Sequence, residues 1–207
     1  MYCLNAMKNP ALSSFPFSLV LGSASPRRQE LLLQLGFDFQ VLVRPIDEEN
    51  LPAMPVNEVA EWLCRSKAQA FQDVLDANQK LLVITADTVV WKDNTLFGKP
   101  ADRQQAINML MALQGQTHQV STAVCLGHKS GLHSFTDTAK VSVRSLNLAE
   151  IEYYVDAAQP FDKAGAYGIQ EWFGMACIEG IEGDFYTIMG LPTNKLYRAL
   201  LEFNPVV

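Results

Sequence analysis

Hydrophobic positions in the first half of the chain switch repeatedly between the two-residue period of strands and the three-to-four-residue period of helices. Residues 17–22 (FSLVLG) are a short apolar run and predict a buried strand. A helix is expected from Pro26. Ser25 suits the N-cap, and Pro26 suits the first helical position because an N–H there would have no partner. Leu31, Leu32, Leu33 and Leu35 supply the buried side, and Gly36 closes the helix. Residues 37–43 alternate Phe37, Phe39, Val41 and Val43 with Asp38, Gln40 and Leu42, which predicts a second strand. Residues 45–55 read as an acidic loop.

Residues 57–76 predict one long helix. Val59, Leu63, Phe71 and Val74 share a stripe, and Lys67 lies on that stripe, four residues from both Leu63 and Phe71. Residues 80–91 predict a strand whose apolar run is interrupted at its centre by Thr85, Ala86, Asp87 and Thr88. Asp93 and Asn94 read as a turn, with 95–97 returning as a strand. Asp102 caps a further helix, with Ala106, Ile107, Leu110 and Leu113 facing inward and Gly115 at its end. Residues 119–126 and 135–143 predict a hairpin around Lys129, Ser130 and Gly131. Residues 147–156 predict a helix, Gly165, Gly168 and Gly174 mark a loop-rich stretch, and 193–203 a final amphipathic helix. Helices alternate with strands early and antiparallel hairpins follow, so the expected fold class is mixed α/β.

Composition narrows the class. The apolar fraction is 49% and the net charge −6 over 207 residues, which argues against disorder. With 22 acidic residues against 16 basic ones, no nucleic-acid partner is expected. No apolar run approaches the roughly 20 residues of a membrane span, so no membrane partner is expected either. Cys3, Cys64, Cys125 and Cys177 are far apart and form no C-x-x-C pair; they read as reduced thiols of a cytoplasmic protein. Lys8 and the mildly apolar residues 11–20 resemble a weak signal peptide. Pro10 and Pro16 interrupt that stretch, however, and residues 19–23 read as the first strand. Residues 1–16 are therefore expected to be an irregular extension, and 17–207 a single domain.

Five places carry candidate chemistry, each with a plainer alternative. Ser23, Ser25, Arg27 and Arg28 cluster at a strand-to-helix junction, where free N–H groups and guanidiniums suit phosphate; the alternative is a capped helix with solvated arginines. Asp87 lies inside an apolar run, where a carboxylate is costly unless paired, metal-bound or satisfied by backbone donors. Lys67 is either functional or a lysine laid along apolar surface. Lys99 follows Gly98 in a turn-like Gly-Lys-Pro. Asp47, Glu48 and Glu49 are a solvated loop or a contributor to a divalent-cation site. His118, His128 and His133 lack metal-ligand spacing, and no nucleophile elbow, Walker loop or dinucleotide fingerprint occurs.

Taken in order, seven strings resemble the Maf family of nucleoside triphosphate pyrophosphatases. They are SASPRRQELL (23–32), KAQA (67–70), ADTVV (86–90), GKP (98–100), QGQTHQV (114–120), DKAGAYGIQ (162–170) and GDFYTIMGLP (183–192). The resemblance spans nearly the whole chain from Leu19. It implies hydrolysis of the α–β phosphoanhydride of a nucleoside triphosphate to a monophosphate and pyrophosphate. It also implies an elongated α/β fold like that of inosine triphosphate pyrophosphatases, a mixed sheet with flanking helices and two lobes around a cleft. The branch acting on dTTP and UTP carries Arg after Ser-Pro, Thr after the Asp and Gln closing the D-K-A-G string. Arg27, Thr88 and Gln170 match it; a branch acting on 7-methyl-GTP has Trp, Gln and Glu there. The neutral amide of Gln170 can pair with the O4/N3 edge of uracil or thymine; modified pyrimidine nucleotides stay open as further substrates.

For the reaction, Asp87 matches the family's proton acceptor and is expected to orient or deprotonate the attacking water, and Mg²⁺ or Mn²⁺ is expected between the phosphate oxygens and the carboxylates of Glu48 and Asp87. Ser23, Ser25, Arg28, Lys67 and Lys99 would surround the triphosphate, with Asp162 and Lys163 shaping the cleft. Tyr167 either stacks on the base or packs. A homodimer is possible, since homodimers occur in the family. Two other readings stay open: a nucleotide-binding regulator of septum formation acting through a protein partner, and a phosphatase releasing orthophosphate.

Overall fold

The computed structural model describes residues 12, 15–48 and 50–204. The extension expected over 1–16 lies mostly outside the described residues. Within it, Leu12 and Phe15 pack onto the core, Phe15 with its ring edge-on to Phe37 at 5.4 Å.

Among the described residues seven strands form one mixed sheet: β1 (Ser18–Leu21), β2 (Phe39–Val41), β3 (Leu81–Lys92), β4 (Thr95–Phe97), β5 (Thr117–His128), β6 (Gly131–Val143) and β7 (Ile178–Glu182). Their order is β2-β1-β3-β5-β6-β7, with β4 also on β3. β2, β1 and β3 are mutually parallel and joined through helices, as parallel neighbours require; the other pairings are antiparallel. Asp93 and Asn94 both have positive φ (48° and 62°), the conformation of a tight two-residue hairpin turn between β3 and β4.

β3 organises the molecule. On one edge it pairs with β5 from Val83 to Trp91. On the other, β1 takes residues 81–84 and β4 takes 90–92, so neither strand pairs with 85–89. The sheet forks there, at the polar interruption of the apolar run. Two cores form along the long strands on either side of the fork. One joins Leu19, Leu21, Leu82, Ile84, Val124 and Leu126 to α1 (Pro26–Gln34) and α8 (Thr193–Glu202). The other joins Val90, Val120 and Val141 to α4 (Arg103–Leu113) and α5 (Leu148–Ala158). The opposite sheet face is covered by α2 (Val59–Gln69), through Val59, Ala60, Leu63 and Cys64 against Val89, Ala123 and Cys125. Burying each leucine or isoleucine side chain of these cores contributes roughly 1.5–3 kcal/mol.

Three expectations need correction. The helix expected over 57–76 is a 3-10 turn at 56–58, then α2, then α3 (Gln72–Ala77). It breaks at Ala70 and Phe71, where the Phe71 N–H turns to Ala68 O at 3.0 Å. The break lets the Phe71 ring bury beside Val20, Leu75 and Val83, and that burial outweighs one turn of helix. The strand expected over 37–43 is only Phe39–Val41. Its partner β1 ends at Leu21 to begin α1, and Leu42 N makes the last bond, to Leu21 O at 3.1 Å. The strand expected over 80–91 is β3, and its polar centre stays in the ladder because β5 pairs with it throughout. The stretch read as loop after Gly165 contains α6 (Trp172–Cys177), too short to show a periodic stripe, and leads into β7.

One buried group predicts a pH dependence. His118 is fully buried, with Nε2 2.8 Å from Tyr167 Oη, and burial pushes its pKa down to about 4. An unfolded histidine titrates near 6.5, so in acid the unfolded chain binds a proton that the native imidazole refuses. The stability at stake, about 3 kcal/mol, is present above pH 6.5 and lost as the pH falls toward 4. Thermal midpoints measured from pH 7.5 to 4.5 are expected to fall below pH 6.5, and to fall less steeply in His118→Gln.

Candidate active site

The fork places four chain segments around one point. β1 ends at Leu21 and passes through Gly22 into α1. A Cβ at Gly22 would lie 2.8 Å from Thr85 Cγ2 and 3.1 Å from the Phe71 ring, so only glycine lets the chain cross there. Ser25 is the N-cap, accepting from Arg28 N at 3.5 Å. The Arg28 guanidinium donates from Nε to Gly190 O (2.8 Å), from Nη1 to Ser23 Oγ (3.2 Å) and from Nη2 to Thr88 Oγ1 (3.0 Å). Three of its five N–H groups are thus held by protein, leaving two for a ligand. Burial lowers its pKa and the charge of Asp87 raises it; a guanidinium stays protonated in either case.

Asp87 and Thr88 are consecutive in a strand and face opposite sides of the sheet. Thr88 faces Arg28, whereas Asp87 faces α2. There Lys67 Nζ contacts Asp87 Oδ2 and lies 3.0 Å from Glu48 Oε1. The other Asp87 oxygen accepts the Thr88 N–H at 2.8 Å. The Lys67 side chain is 16% exposed, so its ammonium is anchored between carboxylates rather than reaching to solvent. Glu48 comes from the loop after β2. Arg44 holds that loop at the α2–α3 break, through Asp73 (Nη2–Oδ2, 2.9 Å), Ala70 O (2.6 Å) and the Phe71 ring (5.0 Å).

The second lobe closes the cleft. Lys99 follows β4, and Gly98 O accepts the Gly165 N–H at 3.1 Å, bringing in the segment that carries Asp162, Lys163, Tyr167 and Gln170. Arg27 reaches across to Asp162 at 3.4 Å. Lys163, 8% exposed, lies 2.7 Å from Asp162 and 3.3 Å from Glu171. Glu171 accepts the Tyr154 O–H (2.6 Å), and Tyr154 Oη accepts the Gly168 N–H (2.9 Å), which fixes the turn leading to Gln170. Burial, together with the bond to Glu171, pushes the Tyr154 phenol upward in pKa. Tyr167 packs against Phe173 and His118 and is almost wholly buried where it lines the cleft.

The cleft measures about 420 Å³. Ser23, Ser25, Arg27, Arg28, Glu48, Lys67, Asp87, Thr88, Lys99 and Gln170 all line it, although they derive from segments far apart in the chain. Glu49 lies outside the described residues. Asp47 does not line the cleft; it bonds Asn50. Sequence reasoning missed Val43 and Arg44, which lie in no motif. Arg27, Arg28, Arg44, Lys67, Lys99 and Lys163 line the cleft with Glu48, Asp87 and Asp162, and even with Asp73 on Arg44 and Glu171 on Lys163 the cations outnumber the carboxylates, so this cleft in an acidic chain is cationic and suits a polyanion.

Among the described residues no group of three or more His, Cys, Asp or Glu is placed to hold a metal ion. Glu48 and Asp87 nevertheless converge on a single cation, the Lys67 ammonium. Two hard carboxylates of this kind fit Mg²⁺ or Mn²⁺ where phosphate oxygens and water complete the shell.

Fold and site together define an α/β protein with a forked sheet, a cationic cleft and a buried carboxylate at the fork. The family model described as Maf-like protein matches residues 18–203, and the chain belongs to the Maf family. A protein named dTTP/UTP pyrophosphatase from Bacteroides thetaiotaomicron is 45% identical over 185 residues, covering 89% of this chain and 95% of its own length. One of the same name from Porphyromonas gingivalis strain W83 is 44% identical over 188 residues, covering 90% and 94%. Among solved structures, the Staphylococcus aureus Ham1 protein is similar over 61% of this chain and 71% of its own, at a TM-score of 0.43 and 13% identity, too slight a likeness to bear on function.

Proposed function

We propose that this protein hydrolyses the α–β phosphoanhydride of dTTP and UTP to the nucleoside monophosphate and pyrophosphate. One observation carries the reading. The residues that mark the dTTP/UTP branch, Arg27, Thr88 and Gln170, line the same cleft as Asp87, Lys67 and Glu48. The names of its relatives agree with it.

In this reading Ser23, Ser25, the α1 N-terminus, Arg28 and Lys99 bind the triphosphate, and the Gln170 amide pairs with the pyrimidine edge. Asp87 takes a proton from the water that attacks the α-phosphorus. The new P–O bond forms as the bond to the β-phosphate oxygen breaks, and pyrophosphate leaves with its charge countered by Arg28, Lys67 and Lys99. The Thr88 N–H holds Asp87 in position for this. Glu48 and Asp87 would hold a divalent cation, which would supply charge neutralisation on the phosphates and a more acidic water. We place the protein in the cytoplasm, where the free buried thiols of Cys64, Cys125 and Cys177 are at home.

The test is a panel of canonical and modified nucleoside triphosphates with Mg²⁺, Mn²⁺ or EDTA, with pyrophosphate and orthophosphate measured separately. Turnover of dTTP and UTP to pyrophosphate, lost at least about 100-fold in EDTA, is expected. Tight nucleotide binding without turnover would instead mark a regulator, and orthophosphate release a phosphatase.

A further inference from the structure

The string at 183–192 has no role in the chemistry above, yet it forms α7 (Phe185–Met189) and the Gly190 turn on one face of the sheet. Beneath it a polar row crosses three strands in register: Thr88 of β3 opposite Thr122 of β5, opposite Asp137 of β6. This row lies between the two apolar cores of that face. Thr122 and Thr187 are both fully buried, where an unpaired hydroxyl would be costly.

The bonds in this row run one way. Thr122 Oγ1 donates to Thr187 O at 2.6 Å, and a carbonyl can only accept. The single proton of Thr122 is thereby used. At the 2.9 Å contact between Thr88 and Thr122 hydroxyls, Thr88 must be the donor. Thr88 Oγ1 is then left as an acceptor, and it accepts from Arg28 Nη2 at 3.0 Å. The far end is fastened too: Thr187 Oγ1 donates to Asp137, which also binds Lys195 of α8. Gly190, at φ 106°, gives its carbonyl to Arg28 Nε. Two of the three bonds that orient Arg28 therefore depend on the α7–Gly190 segment.

Resting on the proposed function, we infer that Thr122 is a positioning residue for the triphosphate. Through Thr88 it holds the Arg28 fork in one orientation, and Thr88 acts on substrate selection through Arg28 rather than by touching the base. The hydroxyl proton of Thr88 is committed to Thr122 and is not available to a nucleotide.

The test compares Thr122→Val, which keeps the shape and removes the hydroxyl, with Thr122→Ser, which restores it. Thr88→Val serves as a second variant, since it leaves the Thr122–Thr187 bond intact. Affinity for a non-hydrolysable UTP analogue and kcat/KM for UTP are measured for each, with thermal midpoints alongside. Thr122→Val and Thr88→Val are each expected to lose about tenfold in affinity, and Thr122→Ser to stay within about twofold of the wild type. In an Arg28→Ala background, Thr122→Val is expected to have no further effect on affinity. A full, additive loss in that background, or wild-type affinity in both valine variants, overturns the inference. Failure of the wild type to turn over dTTP and UTP overturns the proposed function instead; the affinity measurements still decide whether Thr122 positions Arg28.

Discussion

Asp87→Asn is expected to lower kcat for pyrophosphate release by about 10³-fold, with affinity for a non-hydrolysable UTP analogue kept within a few-fold. The substitution keeps size and shape and removes the ability to take a proton. It also meets a specific local conflict. One Asp87 oxygen accepts the Thr88 N–H and the other faces the Lys67 ammonium, both of which are donors. An asparagine has one oxygen and one NH₂, so one donor must face another whichever way it turns. Some loss of stability should therefore accompany the loss of rate, visible in the thermal midpoint. Turnover close to that of the wild type would remove Asp87 from the proposed chemistry.

Lys67→Met is expected to have the second largest effect, and on two measurements at once. In the native protein one ammonium serves both Glu48 and Asp87. Their environments differ: the Asp87 side chain is 12% exposed and that of Glu48 46%. Removing the lysine strands the buried carboxylate beside a like charge, and breaking a buried pair from one side costs about 3 kcal/mol. For a chain of this length that lowers the midpoint by roughly 6–12 °C. Loss of the cation from the triphosphate site should reduce kcat/KM by about 10²–10³-fold. Mg²⁺ added without nucleotide is expected to raise the midpoint of Lys67→Met more than that of the wild type, since a cation again lies between the same oxygens. Arginine should not restore activity, because a planar fork does not occupy the place of a point charge. Wild-type activity in Lys67→Met would exclude the lysine from the reaction.

What could be read from the residues followed the range of the interactions involved. Ser25 and Asp102 cap the helices they were expected to cap, and Asn147 caps α5, because a cap is decided within four residues. The hairpins at 93–94 and 129–130 are likewise set by the turn itself. The break at Phe71 and the early end of β2 were not legible. The first depends on a pocket between β1 and β3, the second on where a neighbouring strand stops. The same division holds in the cleft. The Ser-Arg cluster and Asp87 stand out by type and setting. Arg44 and Thr122 do not, because each matters only through a partner distant in the chain, Asp73 or Thr187.

The order of residues was enough to reach the fold class, the family and the kinds of group the cleft would need: cations for a polyanion, a carboxylate within an apolar run and a neutral amide for a base. It carries this information because capping, periodicity and ordered motifs are local properties of the chain. Directions and partners came only with folding. The fork left by β1 and β4 along β3 brings Asp87 to the cleft, and strand alternation turns it toward Lys67 while Thr88 turns toward Arg28. Residues that a linear reading could only nominate acquire direction there, because a hydrogen bond or an ion pair exists only once both partners are placed.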